Sequence, residues 1–302
     1  MESGSKSYLH RSGSGRLASF IIHFVLILYC LTVFYPFWTT ILLSFSGVDE
    51  GMAMGFHFWL SEWKTSAYQF ISDRYTAMGR IYFNSIFRTA VGTILTIGFT
   101  LMAAYPLSKK RLPGRKGMTI YLLVTLFYTG GLIPTYILIR SLGLINTRLV
   151  LILPTLTMPY YIIVMRNFLM TIDNSYEEAA FMDGAGYAQI LVRIIVPLSL
   201  PIIATVALWH AVYHWNAWFD SLIYTTKQSL VVLQLLLHKI VIEAEEAFDN
   251  ARHDFAIEFE VELPTAAVKS AVTVVTIGPI ILLYPFLQRY FISGVFSGSI
   301  KG

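Results

Sequence analysis

Apolar residues in this chain come in long unbroken runs, separated by short polar or basic stretches, rather than in strict alternation. Six runs stand out, with approximate limits 17–45, 84–108, 117–140, 148–170, 194–219 and 265–290. A helix needs roughly 20 apolar residues to cross a hydrocarbon layer, and each run meets that length. A barrel built from strands would alternate apolar and polar positions over about ten residues, which is not the pattern here. The pattern predicts an all-α polytopic membrane protein with six transmembrane helices.

Composition agrees with this. Of 302 residues, 56% are hydrophobic and 13% are charged, whereas soluble domains carry roughly a quarter charged residues. A water-soluble core of this size would leave too much apolar surface facing solvent, so a soluble globular protein is excluded. The single cysteine, Cys30, lies within the first run, so neither a disulfide framework nor a thiolate metal cluster is expected. That first run is too long for the apolar part of a cleaved signal, and it reads as an uncleaved first span.

The formal charge of +4 is small, but its distribution sets an orientation. Between the second and third runs, Lys109, Lys110, Arg111, Arg115 and Lys116 put five positive charges into one short loop. The positive-inside rule makes that loop cytoplasmic. Six spans then place both termini on the same side, in agreement with Lys6, Arg11 and Arg16 at one end and Arg289 and Lys301 at the other. Residues 1–16 read as a cytoplasmic tail, glycine- and serine-rich from Ser3 to Gly15. The opposite side receives the loop around 46–83 and the acidic loop around 220–264, with Glu243, Glu245, Glu246, Asp249, Asp254, Glu258, Glu260 and Glu262. Prolines 36, 134, 154, 159, 201, 279 and 285 fall in or beside the runs. They read either as simple kinks or as bends around a cavity, since freed backbone carbonyls in lipid need neighbouring helices or water.

Between the fourth and fifth runs lies Asp173-Asn174-Ser175-Tyr176-Glu177-Glu178-Ala179-Ala180-Phe181-Met182-Asp183-Gly184-Ala185. Ser175 with Glu178 three positions on makes a capping-box pattern, so a short helix should start there. Gly184 can take the left-handed conformation that ends a helix. A second amphipathic piece runs from Tyr187 to Val196 and meets Pro197. Small Ala179 and Ala180 would let another chain approach the first helix closely, with Glu178, Ala179 and Ala180 as its exposed face. The same pattern also suits a capped surface helix with no partner.

Glu178-Ala179-Ala180, Asp183-Gly184-Ala185 and Ile195-Val196-Pro197-Leu198 resemble the signature of permease subunits of ATP-binding-cassette (ABC) importers. In that family the loop is a coupling helix that docks in a cleft of a cytoplasmic ATPase. The family's further glycine downstream of the Asp-Gly pair is replaced here by Ala188-Gln189-Ile190-Leu191-Val192, a departure that carbohydrate-type permeases share. Gly130-Gly131-Leu132-Ile133-Pro134-Thr135-Tyr136, Leu142-Gly143-Leu144, Leu153-Pro154, Trp215-Asn216-Ala217-Trp218 and the ending Gly298-Ser299-Ile300-Lys301-Gly302 are also similar to the sugar-importing group, notably permeases for oligosaccharides such as alginate fragments. The resemblance covers 17–302. It implies a type I importer transmembrane domain with its core at about 84–290 and the coupling segment at about 175–185. It assigns the coupling role to Glu177, Glu178, Ala179, Ala180, Asp183, Gly184 and Ala185.

The chain has no phosphate loop of its own: Gly4-Ser5-Lys6-Ser7 lacks the leading glycine and the strand-to-helix setting. It is therefore expected to bind no cofactor and not to be an enzyme, with ATP and Mg held by partner ATPases. The resemblance implies two such ATPases, a second homologous permease and an extracytoplasmic solute-binding protein in a bacterial inner membrane. No nucleic-acid partner is expected.

In the fifth run, Trp209, Tyr213 and Asn216 share one side at helical spacing, and His210 and His214 share a neighbouring stripe. With Trp218 they offer stacking rings beside amide and imidazole groups, which suits the apolar faces and hydroxyl rims of sugars. An interfacial aromatic belt would look the same. The His210-x-x-x-His214 spacing could serve zinc only with a further ligand, and Ala211 stands where a metalloprotease would carry glutamate, so no metal site is expected. Lys269 would either snorkel to the interface or face a polar cavity. Arg88 and Arg166, near span ends, would sit at the headgroups. A self-contained secondary transporter would want ionisable relays inside the spans, and a membrane enzyme acting on lipid-linked sugar would want a partnered nucleophile or metal. Neither set is visible in the sequence.

Overall fold

The computed structural model describes residues 13–46, 59, 60, 62–74, 77–242 and 266–281, and among these there are helices but no strands. The basic tail before residue 13, the acidic stretch 243–262, Arg289, Lys301 and the 298–302 motif all lie outside the described residues. Contacts gather the chain into two units, one of Met1–Ile71 with Glu262–Val274 and one of Ser72–Val261 with Val275–Gly302.

In the first unit, α1 (Gly13–Ser44) is a single helix of 32 residues with Pro36 inside it. Every side chain from Leu17 to Phe34 is exposed, as suits a helix solvated by lipid rather than by protein. Its last turn is the packed part. Tyr68, on α2 (Ser66–Arg74), donates a hydrogen bond to Ser44 Oγ at 2.9 Å, and Phe45 packs on Tyr68 and Trp63 with ring centroids 5.1 and 5.5 Å apart.

The second unit is organised around α3 (Met78–Ser108), whose inward stripe changes character along its length. After Ile81 near the start it is polar or small: Asn84, Ser85, Arg88, Gly92, Thr96 and Thr100. Towards the end it is apolar, with Leu101, Ala104, Tyr105 and Leu107, up to Ser108 in the last position. Hydrophobicity does not drive helices together in lipid, so close packing of small residues and interhelical hydrogen bonds must hold them. The apolar half joins Tyr161, Ile162, Met165 and Leu169 of α6 (Pro159–Leu169), with Ile190, Ile195 and Val206, in one core.

Three of the runs expected as single spans are broken pairs. The third is α4 (Arg115–Phe127) and α5 (Leu132–Ser141), bent by 112°, with Gly131 at φ +80 between them. The fourth is a short turn at Leu149–Thr155 followed by α6, bent by 53°. The fifth joins α8 (Tyr187–Leu198) to α9 (Leu200–Asn216) at 81°. The prolines explain two of the breaks: Pro159 and Pro201 sit at helix starts, where a missing N–H costs nothing. They divide the spans rather than merely kinking them. The segment expected to couple to an ATPase forms α7 (Ser175–Met182), and α10 (Phe219–Tyr224) and α11 (Leu233–Ile242) follow α9. The sixth run is described as α12 (Ala266–Ile281), in which Lys269 is half-buried; 282–290 lies outside the described residues.

Candidate functional site

The expected helix does begin at Ser175, but not by the expected cap. Ser175 and Glu178 form no capping box; Asn174 precedes the helix without a side-chain cap, and Asp173 Oδ1 accepts the Ser175 N–H at 2.9 Å. An Asx-type bond of this kind satisfies one orphan donor of the first turn and frees Glu178 to point outward. The helix closes as the glycine suggested. Gly184 has φ +80, its N–H reaches Phe181 C=O at 3.0 Å, and Ala185 N–H reaches Ala180 C=O at 2.9 Å, the Schellman pairing.

The helix divides its residues differently from the expectation that Glu178, Ala179 and Ala180 share the exposed face. Glu178, Ala179 and Asp183 are exposed, together with Tyr176, Phe181 and Met182, the last at 89% of its surface. Ala180 is buried in the α3–α6 core, because the helix must turn one side towards the body and Ala180 is small enough to fit there. Glu177 is also buried and forms an ion pair with Lys109, the residue that ends α3. Lys109 Nζ lies 4.8 Å from the centroid of the Tyr105 ring. The loop helix is thus fastened to α3 through Glu177 and to the core through Ala180.

At the other end of the unit, the aromatic stripe of α9 separates into two faces. Tyr213 and Asn216 are exposed and Trp209 is half-buried, its ring 5.8 Å from Tyr160 and 6.1 Å from Tyr161. Gln234 Nε2 donates to Asn216 Oδ1 at 3.3 Å, and Trp218 lies 3.6 Å from the His238 ring. The result is a face of rings and amides on α6, α9 and α11. His210 and His214 turn the other way and are 0% and 1% exposed, their rings 4.4 Å apart. His210 Nε2 lies 2.9 Å from Thr96 Oγ1, and His214 fills the space above Gly92.

Arg88 was expected at the headgroups and is instead 1% exposed. It forms an ion pair with Asp220 on α10, with Nη1 3.1 Å from Oδ1. Nη1 also donates to Ala217 C=O at 2.9 Å, and Nη2 donates to Leu151 C=O at 3.2 Å and lies 3.4 Å from His214 Nδ1. A charge so deep needs an opposite charge and hydrogen-bond acceptors, which the two terminal nitrogens find, while Nε is buried without an acceptor among the described residues. One side chain therefore ties α3 to the end of α9, to α10 and to the turn before α6. The sequence held a signal for it: Arg88 and Asp220 carry opposite charges at the same end of their spans, away from the Lys109–Lys116 loop. Among the described residues, no group of three or more His, Cys, Asp or Glu could hold a metal ion.

Comparison with known proteins gives a consistent result. The family described as "binding-protein-dependent transport system inner membrane component" matches residues 16–297. The polygalacturonan/rhamnogalacturonan transport system permease protein YtcP of Bacillus subtilis (strain 168) is 32% identical, over 95% of this chain and 99% of that protein. Protein LplC of the same organism is 35% identical, over 88% of this chain and 89% of its own. A crystal structure of a bacterial ABC transporter involved in the import of the acidic polysaccharide alginate aligns with a TM-score of 0.79 at 30% identity, covering 93% of this chain and 98% of that one.

Proposed function

The chain belongs to the family of binding-protein-dependent transport system inner membrane components, and from that premise we propose that it is the permease of an ATP-driven importer that moves a sugar, an oligosaccharide or polysaccharide fragment of the alginate type, across the bacterial cytoplasmic membrane. The observation that supports this reading is the likeness, over nearly the whole chain, to a permease named for polygalacturonan and rhamnogalacturonan transport and to a transporter involved in alginate import. Residues 17–302 act as one transmembrane domain with its core at about 84–290, and 1–16 form a cytoplasmic tail. Two ATPase subunits hold ATP and Mg, a second homologous permease completes the pathway, and a solute-binding protein delivers the sugar from outside.

Ser175–Met182 docks on an ATPase through Tyr176, Glu178, Ala179 and Met182, its exposed side. Asp183, Gly184 and Ala185 turn the chain out of the contact. Glu177 and Ala180 then pass movement at the docking face to α3 and the core. At the far end, Trp209, Tyr213 and Asn216 line the path with Trp218 nearby, while His210 and His214 hold α9 against α3 rather than meeting sugar. The test is uptake by membranes containing the complete transporter, with uronate and neutral oligosaccharides compared. ATP-dependent uptake of a uronate oligosaccharide is expected, and Trp209→Ala or Asn216→Ala should each lower it several-fold, since one stacking or amide contact contributes on the order of 1 kcal/mol. Uptake driven by a proton gradient, with no ATPase co-purifying, would overturn the reading.

A further inference from the structure

A cluster of cations remains that neither coupling nor the sugar path uses. A cavity of about 340 Å³ at the start of α4 is lined by Arg115, Lys116, Thr119 and Ile120, and by Arg166 from the last turn of α6. Two guanidinium groups converge there on one carbonyl: Arg115 Nε donates to Leu107 C=O at 2.8 Å, and Arg166 Nε donates to the same oxygen at 3.2 Å. Arg115 Nη2 adds a contact to Met170 Sδ at 3.1 Å, and the Thr119 hydroxyl donates to Arg115 C=O at 2.8 Å. Among the described residues the ion pairs are Lys64–Glu62, Arg88–Asp220 and Lys109–Glu177, so no carboxylate answers these three cations. Among the described residues Arg166 donates from Nε alone, and its terminal nitrogens meet no hydrogen-bond acceptor. Like charges held this closely call for an anion between them, and the N-terminal end of the α4 dipole, whose first N–H is taken by Leu112 C=O at 3.4 Å, adds to the pull.

The surface below the cavity indicates which anion. No residue of α4 is buried, and Lys116, Ile120, Leu123 and Phe127 follow one another at helical spacing on an exposed stripe, with Phe127 79% exposed. A phosphate at the cations would have an apolar track of about two turns or more beneath it, where an acyl chain can lie. Basic pockets between helices at a membrane surface suit anionic headgroups in this way. We propose that Arg115, Lys116 and Arg166 form a binding site for the phosphate headgroup of an anionic phospholipid, with α4 supporting its chain. The site assignment goes beyond the import reading, and only the leaflet, the cytoplasmic one, rests on the orientation given by that reading.

The test uses the full chain, assembled with its partners, in nanodiscs of phosphatidylcholine with added phosphatidylglycerol, and counts retained lipid by native mass spectrometry. A nanodisc has no sidedness, so the result does not depend on which way the protein faces or on the sugar it carries. Wild-type protein should retain phosphatidylglycerol in preference to phosphatidylcholine. A cation near a membrane surface is worth roughly five-fold in affinity, so Arg115→Gln with Arg166→Gln should weaken retention by roughly thirty-fold. Lys110→Gln with Arg111→Gln, which removes as much charge outside the cavity, should leave retention unchanged. The Lys116 side chain makes no hydrogen bond or ion pair within the described residues, so Lys116→Glu should also lose lipid while folding normally, should the double variant fail to assemble. Equal retention of both lipids by wild type, or wild-type retention by the Lys116→Glu and doubly neutralised proteins, would overturn the proposal. Displacement of the lipid by an equal concentration of glycerol phosphate or inorganic phosphate would overturn its lipid part, because the bound species would then be a soluble anion.

Discussion

The imidazole of His214 occupies the place where a side chain on Gly92 would be: a Cβ built on Gly92 would lie 2.2 Å from His214 Nε2 and 2.6 Å from Cδ2. Glycine is therefore fixed here by close helix approach rather than by backbone conformation. Gly92→Ala should force α3 and α9 apart or swing the ring, at a cost typical of overpacking, about 1–3 kcal/mol. The thermal midpoint of the purified transporter should fall. His214→Ala in the same chain should recover part of that loss, because contacting residues are not additive. A Gly92→Ala protein as stable as wild type would show that the two helices pack more loosely than this.

The Arg88–Asp220 pair makes a sharper claim. Removing one member of a buried pair typically costs about 3–5 kcal/mol, since the other is left charged and unanswered. Asp220→Asn should therefore destabilise the transporter strongly, and Arg88→Met should leave Asp220, which is 21% exposed, better off than the reverse case. Replacing both by apolar residues should be milder than Asp220→Asn alone. Melting curves of the three variants in one detergent check the order. If Asp220→Asn were the mildest of them, Arg88 would have to be neutralised by something else.

What the sequence conveyed about this fold follows from the range of the signals involved. The apolar runs marked α1 and α3 directly, because a long lipid-facing helix needs only continuous hydrophobicity. The breaks at Gly131 and Ser199 were hidden, since both halves of a bent span stay apolar and a hydropathy pattern carries no bend. Gly184 was readable, as only a left-handed residue ends a helix that way and glycine is the residue suited to it. Which alanine faced inward was not readable. An eight-residue helix of nearly even polarity has no marked face, and the Lys109–Glu177 contact that orients it spans 68 positions. Arg88 was misplaced for a related reason: a cation near a span end belongs at the headgroups unless a partner 132 residues away is known.

Orientation gives the next prediction. Five positive charges from Lys109 to Lys116, three between α3 and α4 and two in the first turn of α4, are expected by the positive-inside rule to lie in the cytoplasm, and the Gln228–Leu230 turn is then expected outside. The single native cysteine, Cys30, is exposed on α1 and should be replaced by serine or alanine first. Cysteines at Lys110 and at Lys227, both exposed, should then react with an impermeant maleimide from opposite sides of sealed vesicles. Labelling from one side only would invert half of the topology and move the docking helix out of reach of a cytoplasmic ATPase.

The two alanines of α7 allow coupling to be separated from folding. Ala179 is exposed and Ala180 is buried in the α3–α6 core, so the same substitution at neighbouring positions should fail in different ways. Ala180→Trp overfills the permease itself, and the protein should lose stability by about 1–3 kcal/mol or fail to assemble. Ala179→Trp, on the exposed side, should meet only the proposed ATPase partner. The permease should insert, melt as wild type does and still carry its lipid, yet lose ATPase binding, and stimulation of ATP hydrolysis by the binding protein should disappear. Gly184→Val is an intermediate case. Nothing lies within 4 Å of a Cβ there, but φ is +80, a conformation that a β-branched side chain resists. It should therefore disturb the turn out of α7 without a steric clash, and weaken coupling more than stability. ATP hydrolysis in reconstituted membranes, measured with and without binding protein and beside a pull-down of the ATPase, reads all three. Wild-type stimulation in Ala179→Trp and Gly184→Val would leave α7 a capped surface helix, and the docking face would have to be sought elsewhere on the chain.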